Sequence, residues 1–271
     1  MPKLAEVWDV VDALWPRTLA EPWDHPGLVA GELDAEVDVV WLTVDVTEDV
    51  TEDALDGGAQ LILAHHPLLF HPVDSVAATT SRGRILHRLI SQGCALVCAH
   101  TNADAVRTGT SAQLAHLLGL TRAVPLAPRD EDGAQGIGVV GDAPSGMTLG
   151  ALAQAVARAV PATARGIAAS GPYHAPVHRV AICAGAGDSL LDVVSGSDAD
   201  VYITSDLRHH PGLDFRMEAD PSGPFLIDVS HWASEWVWLE QAKRELLRVL
   251  PDLRVHICDV RTDIWDFVVT Q

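Results

Sequence analysis

Positive charge is scarce in this chain of 271 residues: 18 Lys and Arg stand against 37 Asp and Glu, a formal net charge of −19. A field of that sign repels phosphate backbones and anionic headgroups. It excludes non-specific nucleic-acid binding and docking on an acidic membrane as functions. Long apolar runs are missing as well. No stretch reaches the roughly 18 apolar residues that a bilayer-crossing helix needs, and the start, Met1-Pro2-Lys3-Leu4-Ala5-Glu6-Val7, carries no uninterrupted apolar segment of the signal-peptide kind. Cysteine is rare too. Cys94, Cys98, Cys183 and Cys258 form no Cys-x-x-Cys pair, so they read as reduced, buried thiols and not as a disulfide framework or a thiolate metal site. A Walker-type glycine loop and a Gly-x-Ser-x-Gly elbow are both lacking. What remains is the expectation of a soluble cytoplasmic protein.

Hydrophobic residues make up 48% of the chain and charged ones 20%, ample material for a sizeable core. At about 150 residues per domain the length suggests two domains. Apolar runs of strand length alternate with amphipathic segments, the pattern of an α/β protein. Helices are expected over Lys3–Leu14, Thr47–Leu55, Arg82–Ser91 and Thr148–Ala159, with another running from about His231 to Val249. Strands are expected over Val37–Val46, Leu61–Ala64, Ala95–Ala99, Gly136–Val140 and Phe225–Val229. The Pro-, Gly- and Asp-rich stretch Pro125–Gly146 reads as a seam. The expected division is residues 1–124 with 225–271, and residues 125–224. A shift of 140 positions sets Val37, Val40 and Leu42 on Val177, Val180 and Ile182, and Leu61 and Leu63 on Val201 and Ile203. This predicts an internal duplication of about one βαβ unit.

Three clusters stand out among the 13 histidines. His65 and His66 close an apolar strand, where successive side chains point to opposite faces; the pair reads equally as a polar strand cap and as two metal ligands. His100-Thr101-Asn102-Ala103-Asp104 follows the next strand. Asp104 suits a turn or a ligand, and His100 and Asn102 suit the orientation of that loop. His231 and Glu235 lie four apart on one helical face, as a surface pair or as two grips on one ion. Together the clusters offer three imidazoles and two carboxylates at strand ends, more than a single tetrahedral zinc uses and enough for two bridged ions.

The combination His65-His66-Pro67, His100-Thr101-Asn102-Ala103-Asp104 and Asp228-Val229-Ser230-His231-x3-Glu235 resembles a dinuclear-metal family, the GTP cyclohydrolase I type 2 homologs or Nif-three-like proteins. Glu21-Pro22-Trp23-Asp24-His25-Pro26-Gly27-Leu28 is similar to that family's early Trp-Asp-Asn-x-Gly-Leu segment, and Ile203-Thr204-Ser205-Asp206 to its later Thr-Gly-Glu segment. The resemblance runs over nearly the whole chain. It implies two similar α/β domains with sheets flanked by helices, and His65, His66, Asp104, His231 and Glu235 as metal ligands. It further implies a homohexameric ring with its metal sites facing the cavity. His25 in place of the usual Asn, and Ser230 in place of Gly, alter the surroundings without replacing a ligand. His210 falls near a family position close to the site, which suits substrate contact or proton transfer.

The function expected from this is hydrolysis of a phosphorylated or heterocyclic small molecule by water that two divalent ions activate. The alternative is a non-enzymatic regulatory, scaffold or metal-handling protein with the same ligands. Imidazole and carboxylate suit zinc, manganese, iron, cobalt and nickel alike.

Overall fold

The computed structural model describes residues 1–219 and 223–270. Its first elements are α1 (Leu4–Leu14), β1 (Gly27–Ala30), β2 (Val39–Thr43), α2 (Glu48–Asp56), β3 (Leu61–Ala64), α3 (Ser81–Ser91), β4 (Ala95–Cys98) and the short α4 (Thr101–Asp104). Then follow α5 (Thr110–Leu117), β5 (Thr121–Pro128), β6 (Gly136–Asp142), α6 (Leu149–Ala159), β7 (Ala168–Ser170), β8 (Arg179–Ala186) and α7 (Leu191–Ser195). The chain ends with β9 (Val201–Ser205), α8 (His209–Glu218), β10 (Phe225–Asp228), α9 (His231–Trp236), α10 (Trp238–Val249) and β11 (Arg254–Ile257).

Local chemistry starts the helices where the sequence places them. Thr47, Thr80 and Thr148 each accept a hydrogen bond from the backbone N–H three residues on, satisfying one of the donors that a helix start leaves open. Strand Leu61–Ala64 is buried along its whole length, as a strand covered on both faces must be. Two expected elements differ by more than two residues. The strand expected over Val37–Val46 spans Val39–Thr43, and after it the Thr43 hydroxyl donates to the Asp45 carbonyl. The helix expected to run from His231 to Val249 is interrupted at Val237, and its two halves belong to different compact units.

The first unit holds Met1–Ala103 and Leu239–Thr262. Its sheet has the order β1-β4-β3-β2-β11; β2, β3, β4 and β11 run parallel, and β1 is an antiparallel edge. The second unit comprises Asp104–Trp238 and the chain from Asp263 onward. Its sheet has the order β5-β6-β8-β9-β10-β7, with β8, β9 and β10 parallel and β5, β6 and β7 antiparallel. Part of the Pro- and Gly-rich stretch 125–146 is the β5–β6 hairpin of this second sheet.

The duplication is visible in the register. In the first unit Val40 pairs with Leu61 and Leu42 with Leu63; in the second, Val180 pairs with Val201 and Ile182 with Ile203. Each partner maps onto its counterpart by the same 140-residue shift. The match extends beyond one βαβ unit. The run α1-β1-β2-α2-β3-α3-β4 recurs as α6-β7-β8-α7-β9-α8-β10, and in both copies the first strand flanks the last as an antiparallel edge. One connection departs from the repeat more than the others. Residues 65–80 join β3 to α3, whereas residues 206–208 join β9 to α8.

Candidate metal centre

Function in parallel sheets collects beyond the carboxyl ends of the strands. In the first unit those ends belong to the neighbours β2, β3 and β4, and they carry Asp45, His65 with His66, and His100. Adjacent strands therefore bring together histidines that are far apart in sequence. His65, His66 and His100 each offer a ligand atom, and these atoms lie within 4.8 Å of one another. The ring centroids of His65 are 5.0 Å from those of His66 and 5.4 Å from those of His100.

The orientation of these rings is fixed from behind. Fully buried His65 donates its Nδ1 hydrogen to the Ala99 carbonyl at 2.9 Å. His66 does the same to Asp45 Oδ1 at 2.7 Å, and Thr262 Oγ1 donates to the other oxygen of Asp45 at 2.5 Å. Holding the hydrogen on Nδ1 places the ring's lone pair on Nε2, the arrangement that metal-ligating imidazoles use.

His100 sits on a tightly built loop. Asn102 accepts from the His100 backbone N–H at 2.9 Å and donates to the Trp15 carbonyl at 2.6 Å, the loop-orienting part expected of it. Asp24, from the early Trp-Asp segment, lies 3.0 Å from His100 Nδ1 and accepts from Thr101 N at 3.1 Å and Thr101 Oγ1 at 2.5 Å. Burial alone would raise the Asp24 carboxyl. The hydrogen bonds from His100 and Thr101 outweigh it and hold the group down at about 2. A folded value below the unfolded one contributes stability that is complete above about pH 4 and is lost as pH falls toward 2. A shift of this size corresponds to about 2 kcal/mol. Asp24→Asn is therefore expected to lower stability at neutral pH by about that amount and to flatten the acid limb between about pH 5 and pH 2. Urea unfolding at a series of pH values checks it; an unchanged acid limb would refute the assignment.

The second unit builds its site on α9. Ser230 caps this helix, accepting from Ala233 N at 3.3 Å, and donates its own hydroxyl to Asp263 at 2.6 Å. The first turns then present His231 and Glu235. His231 donates Nδ1–H to Asp206 at 2.6 Å, and its Nε2 lies 3.1 Å from Oε1 of buried Glu235. Burial pushes the His231 imidazole down, but the carboxylates of Glu235 and Asp206 override it and raise the group to about 11. The pair thus forms a pocket that favours positive charge. Asp206 adopts a left-handed backbone (φ 55°), which Asp tolerates better than most residues.

Gly185, at the end of β8, has φ +72°, and a Cβ there would stand 2.2 Å from Glu235 Oε1. Only glycine leaves this carboxylate its place. Ser234 reinforces the approach by accepting from Gly185 N at 2.9 Å. Asp104, half-buried at the end of α4, accepts from the Thr110 hydroxyl. Burial, joined by the charges of Asp104 and Glu235, pushes the Cys183 thiol up to about 12, which puts both carboxylates within electrostatic reach of one group. His210 is exposed in the first turn of α8, its ring 5.3 Å from that of His209.

Asp24, Asp45 and Asp206 were not among the residues singled out from sequence as site residues. Asp206 had two signals, since it stands opposite His66 in the 140-residue repeat and lies in the segment similar to the family's Thr-Gly-Glu. Asp24 stood in the segment similar to the family's Trp-Asp-Asn but was given no role, and Asp45 had no signal beyond its place near a strand end.

The sequence matches the family model described as Duf34/NIF3 (NGG1p interacting factor 3) over residues 2–264. A Streptomyces coelicolor protein called GTP cyclohydrolase 1 type 2 homolog is 42% identical over 272 residues, covering 98% of this chain and 94% of that one. A Mycobacterium tuberculosis protein of the same name is 33% identical, with 97% of each chain covered; that alignment spans 372 positions, so this relative carries inserted residues that the present chain lacks. Among solved structures, a Bacillus cereus protein related to NIF3 superposes with a TM-score of 0.90 at 22% identity over 99% of both chains. Among the described residues, no helix is long and apolar enough to cross a membrane.

Proposed function

Because the chain belongs to the Duf34/NIF3 family, we propose that His65, His66, Asp104, His231 and Glu235 hold two divalent metal ions, and that the protein is a metal-dependent hydrolase of a small molecule. One observation carries the reading. All three of these imidazoles are wired alike, with Nδ1 held by the Ala99 carbonyl, Asp45 or Asp206. A surface histidine or a strand cap has no need of such an acceptor; a ligand does, because the acceptor fixes the ring and raises the basicity of Nε2.

The donor set fits the ions. Three imidazoles, each of which must give up any Nε2 proton to ligate, and two carboxylates make a borderline site open to zinc, manganese, iron, cobalt or nickel. When bound, two such ions supply a water that ionises near neutral pH and stabilise charge formed on the attacked centre. The chain's own residues supply the rest. Asp45, Asp206 and the Ala99 carbonyl orient the rings, Gly185 gives Glu235 room, and His210 serves in proton transfer or substrate contact. Assembly into a homohexameric ring belongs to the same proposal.

The test pairs elemental analysis of protein purified without added metal with turnover of a panel of phosphomonoesters, cyclic amides and nucleoside triphosphates. GTP belongs in the panel because the relatives' name carries it. About two ions per chain and turnover of at least one compound are expected. Metal without turnover would move the protein to the metal-handling reading, and absence of metal would end both.

A further inference from the structure

Aromatic side chains are few in this chain, 5% of its residues. Two of them in the first unit stand in the open: Trp23 is 55% exposed and Phe70 is 47% exposed. They are not scattered surface residues. Their rings lie 5.7 Å apart, and each also meets the His100 ring nearly edge-on, at 5.9 Å for Trp23 and 6.0 Å for Phe70. His100 in turn packs edge-on against His65 and His66, at 5.4 Å and 5.6 Å. An exposed aromatic pair therefore continues without a break into the imidazole cluster.

Both rings are mounted on built structure. Trp23 precedes Asp24, which is bonded to the Thr101 backbone and hydroxyl, while Glu21 N donates to Thr101 Oγ1 at 2.9 Å. Phe70 belongs to residues 65–80, the connection that the second unit reduces to residues 206–208. An irregular connection of that length inside a compact unit is uncommon and is usually functional. It is anchored at both ends. Leu68 is buried, and its carbonyl accepts from Arg82 Nε at 2.9 Å. Near the other end the Ala77 carbonyl lies against Gly83 so closely that a Cβ there would stand 1.9 Å from it. Between Pro67 and Thr80, Asp74 is the single acidic residue, and there is no Lys or Arg.

We infer that Trp23 and Phe70 form a stacking wall for a planar heteroaromatic ring, one carried by the small molecule that is processed at the neighbouring histidines. The inference rests on the hydrolase reading and names its substrate class. The connection itself, from Pro67 to Thr80, brings no Lys or Arg with which to hold a phosphate. The wall's asset is the exposed π-face, which holds flat rings by stacking whatever their hydrogen-bonding pattern. The extra connection occurs only in the half that carries His65 and His66, where such a wall has a use.

Saturation-transfer NMR on the full chain, metal-loaded and after chelation, tests this with guanosine, adenosine and uridine, and with ribose as the non-aromatic control. Base protons of the nucleosides are expected to receive saturation from the protein, and ribose protons are not. Trp23→Ala and Phe70→Ala should each weaken nucleoside binding about tenfold, as loss of one stacking partner does, with Trp23→Phe retaining most of it. Circular dichroism and metal content of the same samples confirm that the variants are folded and loaded. Nucleosides that bind native protein and both alanine variants equally, or do not bind at all, overturn the wall even where the native chain holds its metal. Alanine variants that change the sedimentation mass without any nucleoside binding in native protein also overturn it, and make the pair an interface between copies. A native chain that lacks metal but loses nucleoside binding on Trp23→Ala defeats the hydrolase reading and leaves the wall standing.

Discussion

Glu235→Ala protein is expected to lose at least one of two divalent ions while its fold persists. Glu235 is buried on the first turns of α9, with Oε1 3.1 Å from His231 Nε2, and Gly185 is shaped to admit it. The anchors of α9 lie elsewhere. Ser230 caps the helix and bonds Asp263, Ser234 holds Gly185 N, and Asp206 holds His231 from the far side of its ring. Truncation therefore removes the charge and a donor atom without removing what positions the helix. Loss of a residue that merely orients a ligand typically costs metal affinity 10–100-fold, and loss of the ligand itself costs more. Asp206→Asn provides the internal comparison. It leaves Glu235 and the helix in place but replaces the carboxylate on His231 Nδ1, so a deficit nearer that 10–100-fold range is expected. Elemental analysis after dialysis against a weak chelator, with thermal unfolding as the control for folding, measures both. Full occupancy in Glu235→Ala protein would end the dinuclear reading.

How much of this centre could be read in advance follows from the range of the interactions that build it. Local chemistry was legible. The apolar run Leu61–Ala64 and the helix starts at Thr47 and Thr148 are decided within a few residues, and the fold realises them. The duplication was legible because a parallel pair preserves register: Val40 with Leu61 and Val180 with Val201 state the same rule twice. The orienting acids were not. Asp45 reaches His66 only because β2 and β3 are neighbours, and Asp24 reaches His100 across 76 positions of sequence. With 37 acidic residues to choose from, no short pattern marks Asp45, and the Trp23-Asp24 pattern that resembles the family's marks Asp24 without naming what it holds. The break at Val237 was hidden for a related reason. Helical spacing continues through it, while the passage from one unit to the other falls close by, between Trp238 and Leu239. The long connection 65–80 escaped notice as well, since only a comparison with residues 206–208 shows that it is extra.

Turnover, once a substrate is in hand, is expected to fall by orders of magnitude in His65→Ala and Asp104→Ala proteins, and native protein treated with a chelator should match them until metal is returned. Among the described residues there is no second apparatus for hydrolysis. The cysteines are buried; burial raises Cys94 and Cys183 to about 12 and Cys258 to about 11, far from the thiolate range a nucleophile needs. Among hydroxyls near the site, Ser234 is committed to Gly185 N and to the His231 carbonyl, and Thr110 to Asp104. On the proposed reading the nucleophile would be a water made reactive by cations that these ligands would hold, so removing a ligand would remove the nucleophile with its ion. His210→Ala should behave differently. An exposed residue in the first turn of α8, it is not among the proposed ligands, so the variant should keep its metal. Its rate should drop by the ~10²–10⁴-fold typical of a lost general acid or base. Measuring metal content and rate on the same preparations separates the two classes of variant. Ligand variants should lose both together, whereas His210→Ala should lose rate alone. Activity that survives both chelation and His65→Ala would place the chemistry elsewhere in the chain and defeat the mechanism.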